Sequence, residues 1–366
     1  MRAFVAIGFV GGVALLACGG GIPTPTDPTV SATTASSGRG PVTHIECGDH
    51  YTCAVLKDGS LSCWGTDRDG QLGDGGGEDR PKPTKVPGLS GVRRIALAST
   101  HGCALGTDRS VRCWGSGRVP GGKTLARAAP APIPNLTVED ISGSGVLMCA
   151  KLEGGKVQCW GSEKNADPDV GPGKIADVAV AATHGCARKE DGTVQCWNAE
   201  HWGGVGTDVL NRPALPSPAV DIGTGDAFAC VVGKDKQVYC WGSNDLGQLG
   251  KTPDYLAHDQ PEAVPGVRDA ESVAIGEASA CALLTGGRVT CWGANASGEL
   301  GLGKTSTSER PTAVAALSGV KDMCFASAHA CVHTQGDEML CWGVNGSGQL
   351  GDGTRETRLA PTRVSF

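Results

Sequence analysis

"CAVLKDGSLSCWG", residues 53–65, sets two cysteines around a charged turn, with nine residues between them and a tryptophan directly after the second. The unit recurs as "CALGTDRSVRCWG" from 103, "CAKLEGGKVQCWG" from 149, "CARKEDGTVQCW" from 186, "CVVGKDKQVYCWG" from 230, "CALLTGGRVTCWG" from 281 and "CVHTQGDEMLCWG" from 331. A constant inner spacing with a variable outer one means a single structural unit joined by loops of differing length.

Each unit reads as strands. An alternating segment such as "VRRIALAS" (92–99) or "ESVAIGEAS" (271–279) precedes the first cysteine, and a Pro-x-x-Val segment such as "PTKV" (83–86) or "PTAV" (311–314) follows the second. Four short strands per unit, punctuated by Gly and Pro and lacking helical periodicity, predict an all-β propeller blade. Cys53 and Cys63 are symmetric about Asp58. A three-residue loop at Lys57-Asp58-Gly59 would set them opposite one another, with Gly59 supplying a positive φ. Opposed residues in a non-hydrogen-bonded antiparallel pair have Cα atoms about 4.5 Å apart, within the reach of a disulfide.

The spacing therefore predicts hairpin disulfides Cys53–Cys63, Cys103–Cys113, Cys149–Cys159, Cys186–Cys196, Cys230–Cys240, Cys281–Cys291 and Cys331–Cys341. Metal ligation is the alternative use of paired cysteines, but the gap is wider than a zinc knuckle's two to four residues. Of eight tryptophans, seven follow a second cysteine, which marks them as packing residues between blades.

The chain opens "MRAFVAIGFVGGVALLAC". A positive start and a short apolar run read as an export signal over residues 1–17, too short to span a bilayer. Its end, Leu15-Leu16-Ala17-Cys18, resembles the bacterial lipobox, which implies acylation of Cys18 and a membrane anchor. An ordinary cleaved signal with an incidental cysteine is the alternative. Residues 18–40, rich in Gly, Pro, Ser and Thr, read as a disordered tether, and 41–366 as the propeller. The formal charge of −6 speaks against nucleic acid as the main partner. Export supplies an oxidising compartment for the disulfides.

The tails "CWGTDRDGQLGDG" (63–75), "CWGSNDLGQLG" (240–250), "CWGANASGELGLG" (291–303) and "CWGVNGSGQLGDG" (341–353) resemble the regulator-of-chromosome-condensation repeat, as do the segments "GDHYTCAV" and "STHGCAL" before the hairpins. The resemblance covers 41–366 and implies a seven-bladed β-propeller of four antiparallel strands per blade. The terminal Pro361-Thr362-Arg363-Val364 would then pair into the first blade and close the ring. With Cys18 and the hairpin pairs set aside, Cys47 and Cys324 remain, at corresponding places in the first and last blades. Neighbours in a closed ring, they are expected to form an eighth disulfide; two free buried thiols are the alternative.

Three units lack Gly-Gln-Leu-Gly: after Trp114, after Trp160 and after Trp197. His201 and Trp202 in the last of these are candidate anchors of a partner surface, although drift in tolerant loops is the simpler reading. His101, His184 and His329 share one position with Tyr51, Leu147, Phe228 and Ser279, so it reads as a packing site rather than a metal ring. No phosphate loop, zinc-protease helix or nucleophile elbow is present, and no catalytic residue, cofactor or metal is expected. The functional expectation is a non-enzymatic, monomeric binding or scaffold propeller. A lipid would anchor it to a bacterial envelope, at the outer membrane by analogy with sorting rules, where it would meet a protein or envelope component. The runner-up is an envelope hydrolase or lyase with its site at a propeller face. Guanine-nucleotide exchange, implied by the family name, requires a cytosolic partner and stands last.

Overall fold

The computed structural model describes residues 41–120, 123–161, 168, 170–182, 184–198 and 213–366. The expected signal and tether, Cys18, His201 and Trp202 lie outside the described residues. Every regular element among those described is a strand.

The first sheet holds β1 (Val42–Gly48), β2 (Tyr51–Leu56), β3 (Leu61–Gly65) and β4 (Arg80–Lys85), hydrogen-bonded in that order. The second is six-stranded: β5 (Val92–Leu97), β6 (His101–Gly106), β7 (Ser110–Val119), β8 (Lys123–Ser144), β9 (Leu147–Leu152) and β10 (Val157–Trp160). A three-stranded sheet follows, of β11 (Ile175–Val180), β12 (His184–Lys189) and β13 (Val194–Asn198). The last three sheets have the four-stranded form. They comprise β14 (Ala219–Thr224), β15 (Phe228–Gly233), β16 (Val238–Gly242) and β17 (His258–Ala263); then β18 (Ala270–Ile275), β19 (Ser279–Leu284), β20 (Arg288–Asn295) and β21 (Ser306–Ala313); then β22 (Val320–Phe325), β23 (His329–Thr334), β24 (Met339–Gly343) and β25 (Arg358–Arg363).

The expectation of seven separate four-stranded blades is therefore corrected. Of the six sheets, five have four strands or more. The reason lies where the Gly-Gln-Leu-Gly turn is missing. There β7 lengthens and pairs with β8 far beyond the cysteines, as far as Val119 opposite Lys123. β8 then runs on for 22 residues into its pairing with β9, merging two units into one sheet. The closing strand is corrected as well. β25 pairs with β24 inside its own sheet and does not enter the first. The Pro-x-x-Val strand completes the hairpin it follows, as β4 does for β3.

The hairpins follow the expected register. Cys53 faces Cys63, the Leu56 amide donates to the Ser60 carbonyl at 2.9 Å, and Gly59 takes φ 74°. The seven hairpin cysteine pairs have S–S distances of 1.98 to 2.11 Å.

Neighbouring sheets are joined by the tryptophans. The Trp114 indole donates to the Gln71 carbonyl at 2.7 Å, Trp292 to Gln248 at 2.9 Å and Trp342 to Glu299 at 2.8 Å. Each acceptor lies in the preceding sheet's Gly-Gln/Glu-Leu-Gly turn. The turn is fixed by an Asp or Asn just past the Trp: Leu72 N donates to Asp67 Oδ1 (2.8 Å), and Leu350 N to Asn345 Oδ1 (3.0 Å). Its last glycine lies under the indole. A Cβ on Gly73 would stand 2.8 Å from Trp114 and one on Gly301 2.7 Å from Trp342, both at positive φ. Trp160 follows a unit without this turn, and its buried Nε1 has no partner among the described residues.

Candidate functional site

The inner strands β1, β5, β8, β11, β14, β18 and β22 pack in succession, and β22 returns against β1. They enclose a cavity of about 830 Å³. Each carries a register shift where its pairing with the following strand begins, and the residue just past it is His44, Arg94, Asp140, Asp177, Asp221, Ser272 or Asp322. β1 and β18 are edge strands of their sheets, so alternate backbone amides face away from the ladder, and aspartates of neighbouring strands use them to join sheets. Asp322 Oδ2 accepts from the Ile45 amide at 3.1 Å and lies 3.0 Å from His44 Nδ1. Asp221 Oδ2 accepts from the Val273 amide at 2.8 Å. Arg94 lies 3.6 Å from Asp140, and Arg188 3.7 Å from Asp177.

Burial acts on these groups in different ways. It pushes the Glu46 carboxyl up to about 7, against the pull of His44 and with the repulsion of Asp322. It pushes Asp221 up to about 7 against the Val273 bond, and it raises Asp177 despite Arg188. Burial works upward on Asp322 too, but the His44 and Ile45 bonds outweigh it and hold that carboxyl below the usual range.

Asp49, Ser99, Asp226, Glu277 and Ser327 line the same cavity four residues before the first hairpin cysteine of their strands. The Ser99 hydroxyl donates to Asp49. Burial, together with repulsion from Glu277 and Asp49, pushes Asp226 up to about 6. Three carboxylates on three different sheets thus converge at one level of a polar cavity. Such a site favours a cation or a basic side chain.

Cys47 and Cys324 lie 5.4 Å apart at Cα with their sulfurs at bonding distance, joining the first and last sheets. His101, His184 and His329 are buried. Burial pushes His101 and His184 down to about 4 and His329 to about 3. They are neutral packing groups: His329 Nε2 lies 2.9 Å from the Thr52 hydroxyl. Among the described residues, Cys47, Cys324 and Cys331 are the one group with metal-ligand proximity, and all three have disulfide partners. The cavity carboxylates were missed in the sequence. Their signal is the recurring acid–apolar step nine residues before the cysteine, as in Asp140-Ile141, Asp177-Val178, Asp221-Ile222 and Asp322-Met323.

A circular array of small antiparallel sheets around an axial cavity defines a β-propeller. Two sequence profiles described as the regulator of chromosome condensation (RCC1) repeat match the chain. The first covers residues 58–105, 235–283, 286–332 and 337–366, and the second 42–71, 219–248 and 270–299. Together they take in more than half of the sequence, and the chain belongs to the RCC1-repeat family. It is 26% identical over 309 residues to the human E3 ubiquitin-protein ligase HERC2, matching 80% of this chain but 5% of that protein. To the ultraviolet-B receptor UVR8 of Arabidopsis thaliana it is 27% identical over 295 residues, 71% of this chain and 66% of the receptor. The chain thus spans less than two thirds of these relatives. Its fold is similar to that of Prp20p from Saccharomyces cerevisiae, with a TM-score of 0.73 at 19% identity and 88% of each chain covered.

Proposed function

We propose that this chain is a non-enzymatic protein-binding propeller, held at a bacterial envelope by a lipid on Cys18 and a flexible tether. Its axial cavity would receive a basic segment of a partner at the level of Asp49, Asp226 and Glu277. The observation that carries this reading is the electrostatic conflict at that level. Asp226 is raised to about 6 by burial and by two neighbouring carboxylates, and an inserted Lys or Arg would relieve the repulsion. RCC1-repeat relatives whose names describe receptors and ligases agree with a recognition role for the fold. The cavity is acidic and the formal charge is −6, so nucleic acid is not the proposed ligand.

The test is a crosslinking pull-down from intact envelopes, comparing the natural chain with an Asp49→Asn, Asp226→Asn, Glu277→Gln variant of unchanged thermal stability. Loss of one partner by tenfold or more from the variant is expected. Equal recovery of every partner rejects the cavity as the contact. The runner-up, an envelope hydrolase or lyase, draws on Glu46, a cavity carboxyl pushed up to about 7 and so suited to proton transfer near neutral pH. Turnover of envelope polysaccharide or peptide that Glu46→Gln abolishes would favour it.

A further inference from the structure

The ring is closed covalently at one point, and that point touches a second disulfide. Cys47 on β1 is bonded to Cys324 on β22, across 277 residues of sequence. Cys331 on β23 is bonded to Cys341 on β24. The sulfurs of Cys47, Cys324 and Cys331 all lie within 4.8 Å of one another, and all three residues are buried. Cys324 and Cys331 are also directly opposed in the β22–β23 ladder; opposed residues of a hydrogen-bonded pair have Cα atoms about 5.5 Å apart, wider than the hairpin pairs but within the reach of a disulfide.

We propose that these four cysteines form a thiol–disulfide relay which transfers the ring-closing bond into the last sheet and so opens the ring's covalent closure.

The chemistry runs in two balanced stages. A dithiol reductant first attacks Cys341 Sγ, and the Cys331–Cys341 bond breaks with its electron pair leaving on Cys331. The second thiol of the reductant resolves the mixed disulfide. The reductant ends as a disulfide and Cys341 as a thiol, so the protein has gained two electrons. Cys331 thiolate then attacks Cys324 Sγ. A Cys324–Cys331 bond forms, the Cys47–Cys324 bond breaks, and Cys47 leaves as a thiolate that takes up a proton. This second stage has no net oxidation or reduction.

Access to the first sulfur is built into the edge of the sheet. Cys341 is flanked on its outer side by β25, whose Thr362 is its ladder partner, and β25 is a sheet edge. Fraying there exposes Cys341 while the inner strands stay in place. The ring-closing disulfide lies deeper, between inner strands, and is reached through Cys331.

The test uses the full chain with Cys341→Ser, which leaves one unpaired sulfur in this cluster without any added reductant. Native alkylation followed by non-reducing peptide mapping locates the free thiol. The expected result is label on Cys47 with a Cys324–Cys331 crosslink in a substantial fraction of molecules. Label on Cys331 alone, with Cys47–Cys324 intact in every molecule, overturns the proposal. Because this variant can fail to fold, the natural chain is also treated with limiting dithiothreitol and quenched with alkylating agent. Among molecules labelled on Cys341, co-labelling of Cys47 supports the relay, and co-labelling of Cys331 in all of them rejects it.

Discussion

The Trp64 indole nitrogen donates to the Gln349 carbonyl at 2.9 Å, linking residues 285 apart in sequence. It is the same contact that joins Trp114 to Gln71 and Trp342 to Glu299, here made between the first sheet and the last. Around it lie other cross-links between those sheets. Thr52 Oγ1 donates to the Gln349 carbonyl at 2.9 Å, and Gly353 N donates to the Pro81 carbonyl at 2.9 Å. Closure thus repeats the ordinary contact between neighbouring sheets, with the Cys47–Cys324 bond added. It needs no strand exchanged between the ends.

The closing contact makes Gly351 sensitive. It holds φ 68°, and a Cβ there would stand 2.7 Å from Trp64 Nε1. Gly303 has φ 74° with nothing within 4 Å of its would-be Cβ. Gly303→Ala should cost only the left-handed backbone penalty, about 1 to 2 kcal/mol. Gly351→Ala should cost about 2 kcal/mol more, because the indole cannot yield without losing its bond to Gln349. Urea unfolding of the two variants checks this, and equal losses would show that the indole does not constrain the turn.

The ring-closing disulfide should outweigh any hairpin disulfide. In the chain-entropy account a cross-link stabilises by restricting the unfolded chain, more so for longer loops. Closing 277 residues corresponds to about 5.6 kcal/mol, and closing a hairpin of 10 to about 2.7 kcal/mol. The Cys47→Ser, Cys324→Ser double variant should therefore unfold at lower denaturant than the Cys53→Ser, Cys63→Ser one. The reverse order would mean that local hairpin integrity dominates.

The hairpins were legible because everything that sets them is local: two cysteines and a short turn with one residue at positive φ, a glycine such as Gly59 in some and Arg109, Lys236 or Asp337 in others. The blade count was not. It counted one blade for each of the seven hairpins, and where the Gly-Gln-Leu-Gly turn is absent the strands β7 and β8 simply keep pairing. The sheet membership of β25 was misread because sequence order says which strand comes next and not which ladder it joins. Asp49, Asp226 and Glu277 share a place four residues before the first hairpin cysteine, but Ser99, Gly145, Ala182 and Ser327 fill that place in the other units, and only the closed ring brings the three acids from turns distant in sequence to one cavity.

Asp67 replaces an asparagine, with a consequence for pH. Asn244, Asn295 and Asn345 cap the same turn, and Asn345 Nδ2 also donates to Asp352 at 3.2 Å. Ionised, Asp67 has no such donor to offer its counterpart Asp74; only its protonated form can make that bond. Burial pushes its carboxyl up to about 6, against the Leu72 bond and with repulsion from Asp74. A folded-state value above the unfolded one stabilises fully below about pH 4 and loses that contribution as pH rises through 6. Asp67→Asn should gain about 2 kcal/mol at pH 8 and little at pH 4. Thermal denaturation across that range reads it out, and a pH-independent gain would locate the effect elsewhere.

His258 carries the opposite substitution in the same family of contacts. It pairs with Gly242 where Arg80 pairs with Gly65 and Arg358 with Gly343. Those arginines bond Asp74 and Asp352 at 2.8 Å. His258 instead lies between Glu262, 2.8 Å from Nδ1, and Asp254, 3.0 Å from Nε2. Glu262 is also paired with Lys251. The Glu262 bond, opposed by burial and joined by Asp254, holds the imidazole above its ordinary value. Its stabilising charge is therefore fully present below about pH 6.5 and is lost as pH rises through the folded-state value. The segment it braces presents Tyr255 and Leu256, exposed at 95% and 69%. Proteolysis at Tyr255 should accelerate severalfold between pH 6 and pH 9 in the natural chain. His258→Arg keeps the charge throughout and should flatten that profile. Parallel profiles for the two proteins would mean that the imidazole does not hold the loop.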